Sequence, residues 1–358
     1  PHAAARRPLA ALLAASAGDA RGVPYRSGGG AGGGSAGKVR PVSAARSASP
    51  AFLSPARDAA PAAPPTGNPA ARVVLLPPPP RPLAVVGSIN ADLVARVARL
   101  PAPGETVTSP ALATLPGGKG CNQAAAAGLL GWPTAMVGQV GGDGYGDMML
   151  QALVGAGVDV ACVRRAPSGV PTGTAIVLVD ARGENCIVVC GGANTAPWPE
   201  EDADADAVIA SAGLLLLQRE VSDAVNTRAA AAAVAARVPV LLDAGGVDAP
   251  PPDALLSLVH TLSPNETELA RLVGGGGGLR EDDDAAVAAA ASSLLARGPS
   301  RILVKRGARG AMLVTANAPP LLAPAFRVPR VVDTTGAGDC FTGAFAVAAL
   351  RGLPAAAA

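Results

Sequence analysis

Histidine is nearly absent from this 358-residue chain, which has only His2 and His260. Two scattered imidazoles give no basis for a histidine-based mechanism. With five cysteines that form no C-x-x-C pair, they also argue against a zinc site. Cys186 and Cys190 lie four apart on an expected strand and so share a face. Together with Cys121, Cys162 and Cys340 they read as small buried hydrophobes in a reducing compartment. Excess charge is missing too. A net +2 with no basic cluster on the globular part leaves no footprint for nucleic acid. No long apolar run free of glycine and charge reads as a membrane span, because the alanine-rich stretches are small-residue helices. Two nucleotide fingerprints are also lacking. The Gly117–Asn122 loop lacks the G-x-G-x-x-G spacing, which sets a dehydrogenase aside, and Lys119 is followed by Gly120 where a P-loop needs Ser or Thr.

What is present divides the chain in two. Residues 1–80 are rich in Ala, Ser, Gly, Pro and Arg, and Asp19 and Asp58 are their only acids. An Arg-rich, Ser-rich, acid-poor composition is that of an organellar transit segment, here of plastid type. The alternatives are a disordered extension or a misplaced gene start, with the protein in the cytoplasm. Residues 81–358 are the expected folded domain. Strands are expected at Leu83–Val86, Thr134–Val140, Leu214–Gln218, Val238–Asp243, Thr261–Ser263 and Arg301–Lys305. Helices are expected at Cys121–Leu130, Asp147–Gly155, Ala224–Arg237, Glu266–Val273 and Asp283–Arg297. Apolar strands alternating with helices predict an α/β fold with a mostly parallel sheet covered on both faces. Two inserts rich in Thr, Val and Ile, near 105–115 and 172–190, break that alternation and predict a small β lid; the second turns back at Asp180–Glu184. Gly274–Gly278 reads as a flexible surface linker.

Four polar clusters carry chemistry. The sharpest is Asp333-Thr334-Thr335-Gly336-Ala337-Gly338-Asp339, directly ahead of the apolar run Cys340–Leu350. Its small residues let backbone N–H groups approach an anion, and the following helix adds positive potential. Asp339 then stands as a general base beside an anion hole, as phosphoryl transfer to a hydroxyl requires. The competing reading is a glycine-rich turn whose Asp caps a core helix. Gly87-Ser88-Ile89-Asn90-Ala91-Asp92 forms a turn ending the first strand, where open α/β sheets bind ligands. Gly117-Gly118-Lys119-Gly120-Cys121-Asn122 precedes a helix and suits a polar ligand, or is a loop with a solvated lysine. Asn265 and Glu268 lie on one face of a first helical turn, placed to hold water around Mg²⁺ or to cap the helix.

Taken in this order, the clusters resemble the ribokinase branch of the phosphofructokinase-B carbohydrate kinases. Gly104-Glu105-Thr106 and Gly191-Gly192-Ala193-Asn194 add to the resemblance, which runs from about Leu83 to the end. It implies a three-layer α/β sandwich with a small β lid, and ATP-dependent phosphorylation of D-ribose at O5. In that pattern Asp339 is the base, and Gly336, Ala337 and Gly338 form the anion hole. Asn90, Asp92, Gly118, Lys119, Asn122 and Glu220 hold the sugar. Asn265, Glu268, Lys305 and Gly307 serve the nucleotide, with Lys305 reaching a phosphate and Glu268 near Mg²⁺. Asp333 and the backbone of Thr335 belong to a K⁺ site. The lid strands imply a homodimer. Members of the family continue several tens of residues past the last helix, whereas this sequence stops at Ala358. In the family that stretch supplies one wall of the adenine pocket and most remaining K⁺ ligands, so the sequence reads as a truncated gene model, a splice form, or a chain without tight nucleotide binding and with a partial K⁺ site. Alternatives are a kinase for another sugar or nucleoside, such as fructose or adenosine, or a non-catalytic binding or scaffold protein.

Overall fold

The computed structural model describes residues 80–274, 279–280, 282–329, 331 and 333–354. Most of the transit-like segment, much of the glycine linker and residues 355–358 lie outside the described residues. The described part begins with β1 (Leu83–Val86), β2 (Asn90–Arg96) and β3 (Leu112–Gly117), followed by α1 (Lys119–Leu129), β4 (Thr134–Val140) and α2 (Gly144–Gly155). Next come β5 (Val158–Arg165), β6 (Gly173–Val179), β7 (Asn185–Cys190), α3 (Ala203–Ser211), β8 (Leu214–Leu217) and α4 (Asp223–Ala235). They are followed by β9 (Val240–Asp243), α5 (Asp253–Leu256), β10 (Thr261–Ser263), α6 (Glu266–Leu272) and α7 (Asp284–Leu295). The described part closes with β11 (Arg301–Lys305), β12 (Ala311–Thr315), β13 (Ala318–Ala323) and α8 (Ala337–Leu350).

Continuous apolar strands are buried on both faces, and the period-2 alternation shows how. Leu83, Val85, Leu214 and Leu216 pack with α1, α2 and α8 on one face. Ala84, Val86, Leu215 and Leu217 pack with α3, α4, α5, α6 and α7 on the other. The resulting nine-stranded sheet runs β13-β12-β11-β10-β9-β8-β1-β4-β5. The strands from β11 to β5 are parallel, whereas β12 and β13 join antiparallel. From β1 the chain moves outward to β4 and later returns on the other side through β8. The carboxyl ends of β1, β8 and β9 therefore face a topological switch point, the usual place for a ligand crevice.

A second sheet, β3-β2-β6-β7, forms the lid. The insert near 172–190 is the hairpin β6–β7, closed at Asp180–Glu184 by the Asp180 N–H donating to Glu184 O and the Gly183 N–H donating to Asp180 O. Three expectations need correction. The first insert becomes strand only from Leu112, because its partner runs out where Ala95 pairs with Leu112, and Pro110 cannot donate to a ladder. Asn90 to Asp92 are not a turn but the start of β2, which pairs with both β3 and β6. Cys186 and Cys190 are exposed, since β7 is an edge strand with nothing described over either face; Cys121 is the buried cysteine. The strands β5, β12 and β13 and the helices α3 and α5 have no counterpart among the expected elements.

Candidate active site

The glycine run Gly117–Gly120 brings the lid root and α1 together at the switch point. Gly118 has φ +86°, and a Cβ there would stand 2.8 Å from the Asn90 backbone nitrogen, so only glycine allows the approach. Glu220, just past β8, ties the loops: its Oε2 accepts from Ser88 Oγ at 2.7 Å and from the Lys119 backbone N–H at 2.9 Å. The expected sugar carboxylate is thus also a structural clamp. Asn90 and Asp92 point to one face of β2. Asn194, buried, donates to Asn90 Oδ1 at 2.6 Å and accepts from the Ile89 N–H at 2.8 Å. This leaves the Asn90 amide N–H₂ as its outward function.

Asp339 lies in the first turn of α8 and is 6% exposed. Gly336 precedes the helix at φ +70°, a left-handed start that frees the first turn from any side-chain cap. Asn122 donates to Asp339 Oδ2 at 3.0 Å, Gln123 donates to Oδ1 at 3.0 Å, and Lys119 Nζ stands 3.9 Å from Oδ1. Burial raises the Asp339 carboxyl above its ordinary range, against the opposing pull of Lys119 and the Asn122 bond. Burial likewise works against the Lys119 ammonium, but Asp339, Asp243, Glu220 and Glu268 outweigh it and hold its pKa up. Asp92 is pushed up to about 6 by burial, then by Glu220 and Asp339. The arrangement is a set of carboxylates around one lysine, with Asp243 and Asp339 both buried.

The expected anion hole is partly spoken for. The Ala337 N–H turns back to Thr334 O at 3.1 Å, leaving Gly336 and Gly338 as the donors at the helix start. Lys305 does not point to open solvent for a phosphate. Its Nζ donates to Asp243 Oδ2 at 2.6 Å, although its stem passes beside Gly338. Asn265 and Glu268 form a reciprocal capping box on α6, each bond 2.7 Å. The capping box leaves Glu268 Oε1 close to the lysine, since it and Lys119 Nζ converge on the same glycine, Gly245. Asn265 also bridges Lys305 in parallel register, while Gly307 lies exposed in the turn after β11. Asp333 is exposed and accepts from the Thr335 N–H at 2.8 Å; that bond holds its carboxyl below the usual range, and Arg96 of the lid adds to the effect.

Sequence reasoning missed Asp243 and Gln123. Asp243 is a lone acid at a strand end, and Gln123 falls one residue past the Gly117–Asn122 motif in an alanine-rich helix, so neither belongs to a motif. The available signal was positional, since Asp243 ends a buried strand at the carboxyl edge of a parallel sheet.

A lidded, open α/β sheet with a buried carboxylate at a helix start, a lysine beside it and sugar-type polar groups opposite defines a hydroxyl-directed phosphotransferase. The chain belongs to the pfkB family of carbohydrate kinases, whose model it matches over residues 81–358. It is 43% identical to the ribokinase of Arabidopsis thaliana over 274 residues, covering 76% of this chain and 71% of that one. The ribokinase of Bacillus subtilis is 33% identical over 76% of this chain and 87% of its own. The solved structure of the Arabidopsis ribokinase complexed with ribose and ATP is similar with a TM-score of 0.72 and 42% identity, over 76% of this chain and 87% of that one.

Proposed function

We propose that this chain transfers the γ-phosphoryl group of ATP to O5 of D-ribose, giving D-ribose 5-phosphate and ADP. The observation that carries the reading is the enclosed Asp339 at the start of α8, oriented by Asn122 and Gln123 within 4 Å of Lys119. Asp339 takes the O5 proton as O5 forms its bond to phosphorus and the bond to the ADP oxygen breaks. Gly336 and Gly338 donate to the charge that spreads over the phosphoryl oxygens. The amide of Asn90 and the carboxylate of Asp92, on one face of β2, pair with adjacent sugar hydroxyls.

Mg²⁺ neutralises triphosphate charge when bound. Among the described residues no group of three or more His, Cys, Asp or Glu stands ready to cage a metal. That fits an ion held mainly by phosphates and water, with Glu268 as its outer carboxylate. Asp333 and the Thr335 backbone offer oxygen donors for an activating K⁺. The apolar side chains of Ile187, Val188 and Val189 on the exposed β7 support a homodimer formed through the lid. Plastid targeting by the acid-poor first eighty residues completes the proposal. The test of specificity is kcat/KM with MgATP on ribose, fructose and adenosine. Ribose is expected to lead by at least tenfold, and a lead for fructose or adenosine would reassign the substrate.

A further inference from the structure

Asp243 is fully buried at the end of β9, yet it collects donors from three other elements. On Oδ2 it accepts from Lys305 Nζ of β11 at 2.6 Å, Gln123 Nε2 of α1 at 3.1 Å and Thr342 Oγ1 of α8 at 3.1 Å. Its Oδ1 accepts from the Gly245 N–H at 3.0 Å. The same Gln123 –NH₂ donates to Asp339 Oδ1, so one amide bonds both carboxylates. The two acceptors fix the amide's orientation so firmly that its own Oε1 is left buried without a partner. Thr342 sits one turn beyond Asp339 on α8, so Asp243 holds the base through the amide and through its helix.

We propose that Asp243 and Lys305 act as a positioning pair for Asp339, fixing its orientation through Gln123 and Thr342 while their opposite charges cancel beside it. The inference rests on the reading of Asp339 as the general base. An unpaired buried carboxylate would be costly, and Lys305 offsets that cost. Removing either member leaves the other charge uncompensated next to the base, with opposite consequences. The other titratable groups that face Asp339 are Lys119 and Cys121 on α1, Asp92 on β2 and Cys340 on α8.

The test is the pH profile of kcat at saturating ribose and MgATP, which reports the base in the substrate complex. Asp243→Asn should move the acid limb down by about one pH unit, because a neighbouring negative charge is gone and Lys305 is left unpaired. Lys305→Gln should move it up by about one unit, because Asp243 is left unpaired. The double variant should return close to the parent limb. Each single variant should lose about tenfold in plateau kcat at unchanged ribose KM, as a displaced base would. Limbs that stay put, or move in the same direction in both single variants, overturn the pair. Asp339→Asn separates the two readings. If it keeps full kcat, the base assignment itself fails. If it is inactive while the limbs stay put, only the pair fails. Should Asp243→Asn not fold, Lys305→Gln carries the test, and an unmoved limb in that variant overturns the pair.

Discussion

The strands β8 and β7 are both short and apolar, yet every residue of β8 is buried and every residue of β7 is exposed. β8 runs mid-sheet between β1 and β9 with helices on both faces, while β7 pairs only with β6 at the lid's edge. An apolar run therefore marks a place where cover is needed, and neighbours decide whether the fold supplies it. In the core sheet the cover is internal, and the strand ends hold Glu220, Asp243 and Lys305 in fixed hydrogen bonds. In the lid sheet the apolar outer surface lacks cover among the described residues, which is the physical basis for proposing a second copy there.

The sharpest way to separate the two sheets is to change one residue that each presents. Asp339→Asn, on the core side, is expected to cut kcat on the order of a thousandfold with ribose binding retained, measured by ADP release and by titration with ribose. A loss below tenfold would mean that the base lies elsewhere. Next in size is packing. Leu216→Ala in β8 should cost about 3 kcal/mol in denaturant unfolding, because a fully buried side chain leaves a cavity. Val188→Ala in β7 should cost the isolated protomer less than about 0.5 kcal/mol. Equal costs would erase the distinction between internal and borrowed cover.

The core sheet was readable because its strands are uninterrupted apolar runs between helical patterns; Leu83–Val86 and Thr134–Val140 fall on β1 and β4 as expected. Less was readable at the periphery. β5 mixes Asp159, Arg164 and Arg165 into its alternation, and β13 contains prolines tolerable only because it is an edge. At the site, residues in glycine-rich motifs were legible, since backbone approach leaves a compositional trace. Asp243 and Gln123 were not, because a single side chain reaching across the fold leaves none. Lys305 shows the limit from the other direction. The resemblance implies that it reaches a phosphate, whereas its Nζ donates to a carboxylate on a strand 62 positions away.

Two smaller effects refine the comparison where the sheets meet. Val188→Asp should weaken the proposed lid-to-lid dimer, raising its dissociation constant by at least about tenfold in sedimentation runs, because a charge would be buried against apolar surface. A dimer unaffected by that change would have to use another face. Asp92 sits at the junction, on the lid's central strand but facing the core's carboxylates. Its folded pKa of about 6 lies above the ordinary 3.8, so it binds a proton as pH falls through 6 and loses its acceptor role toward the sugar. Ribose KM should therefore rise several-fold between pH 7 and pH 5, and Asp92→Asn should flatten that dependence. By the same sign, the ligand-free protein gains stability from this group below pH 3.8 and loses it as pH rises through about 6. A ribose KM that is constant with pH would remove Asp92 from the sugar site.

The most direct test of the account is phosphorus NMR of the products formed by the full chain with MgATP, K⁺ and ribose. The account predicts ribose-dependent appearance of ADP and of one phosphomonoester, coupled to the C5 protons of the sugar. No ribose-dependent ester, or an ester on another carbon, would contradict it.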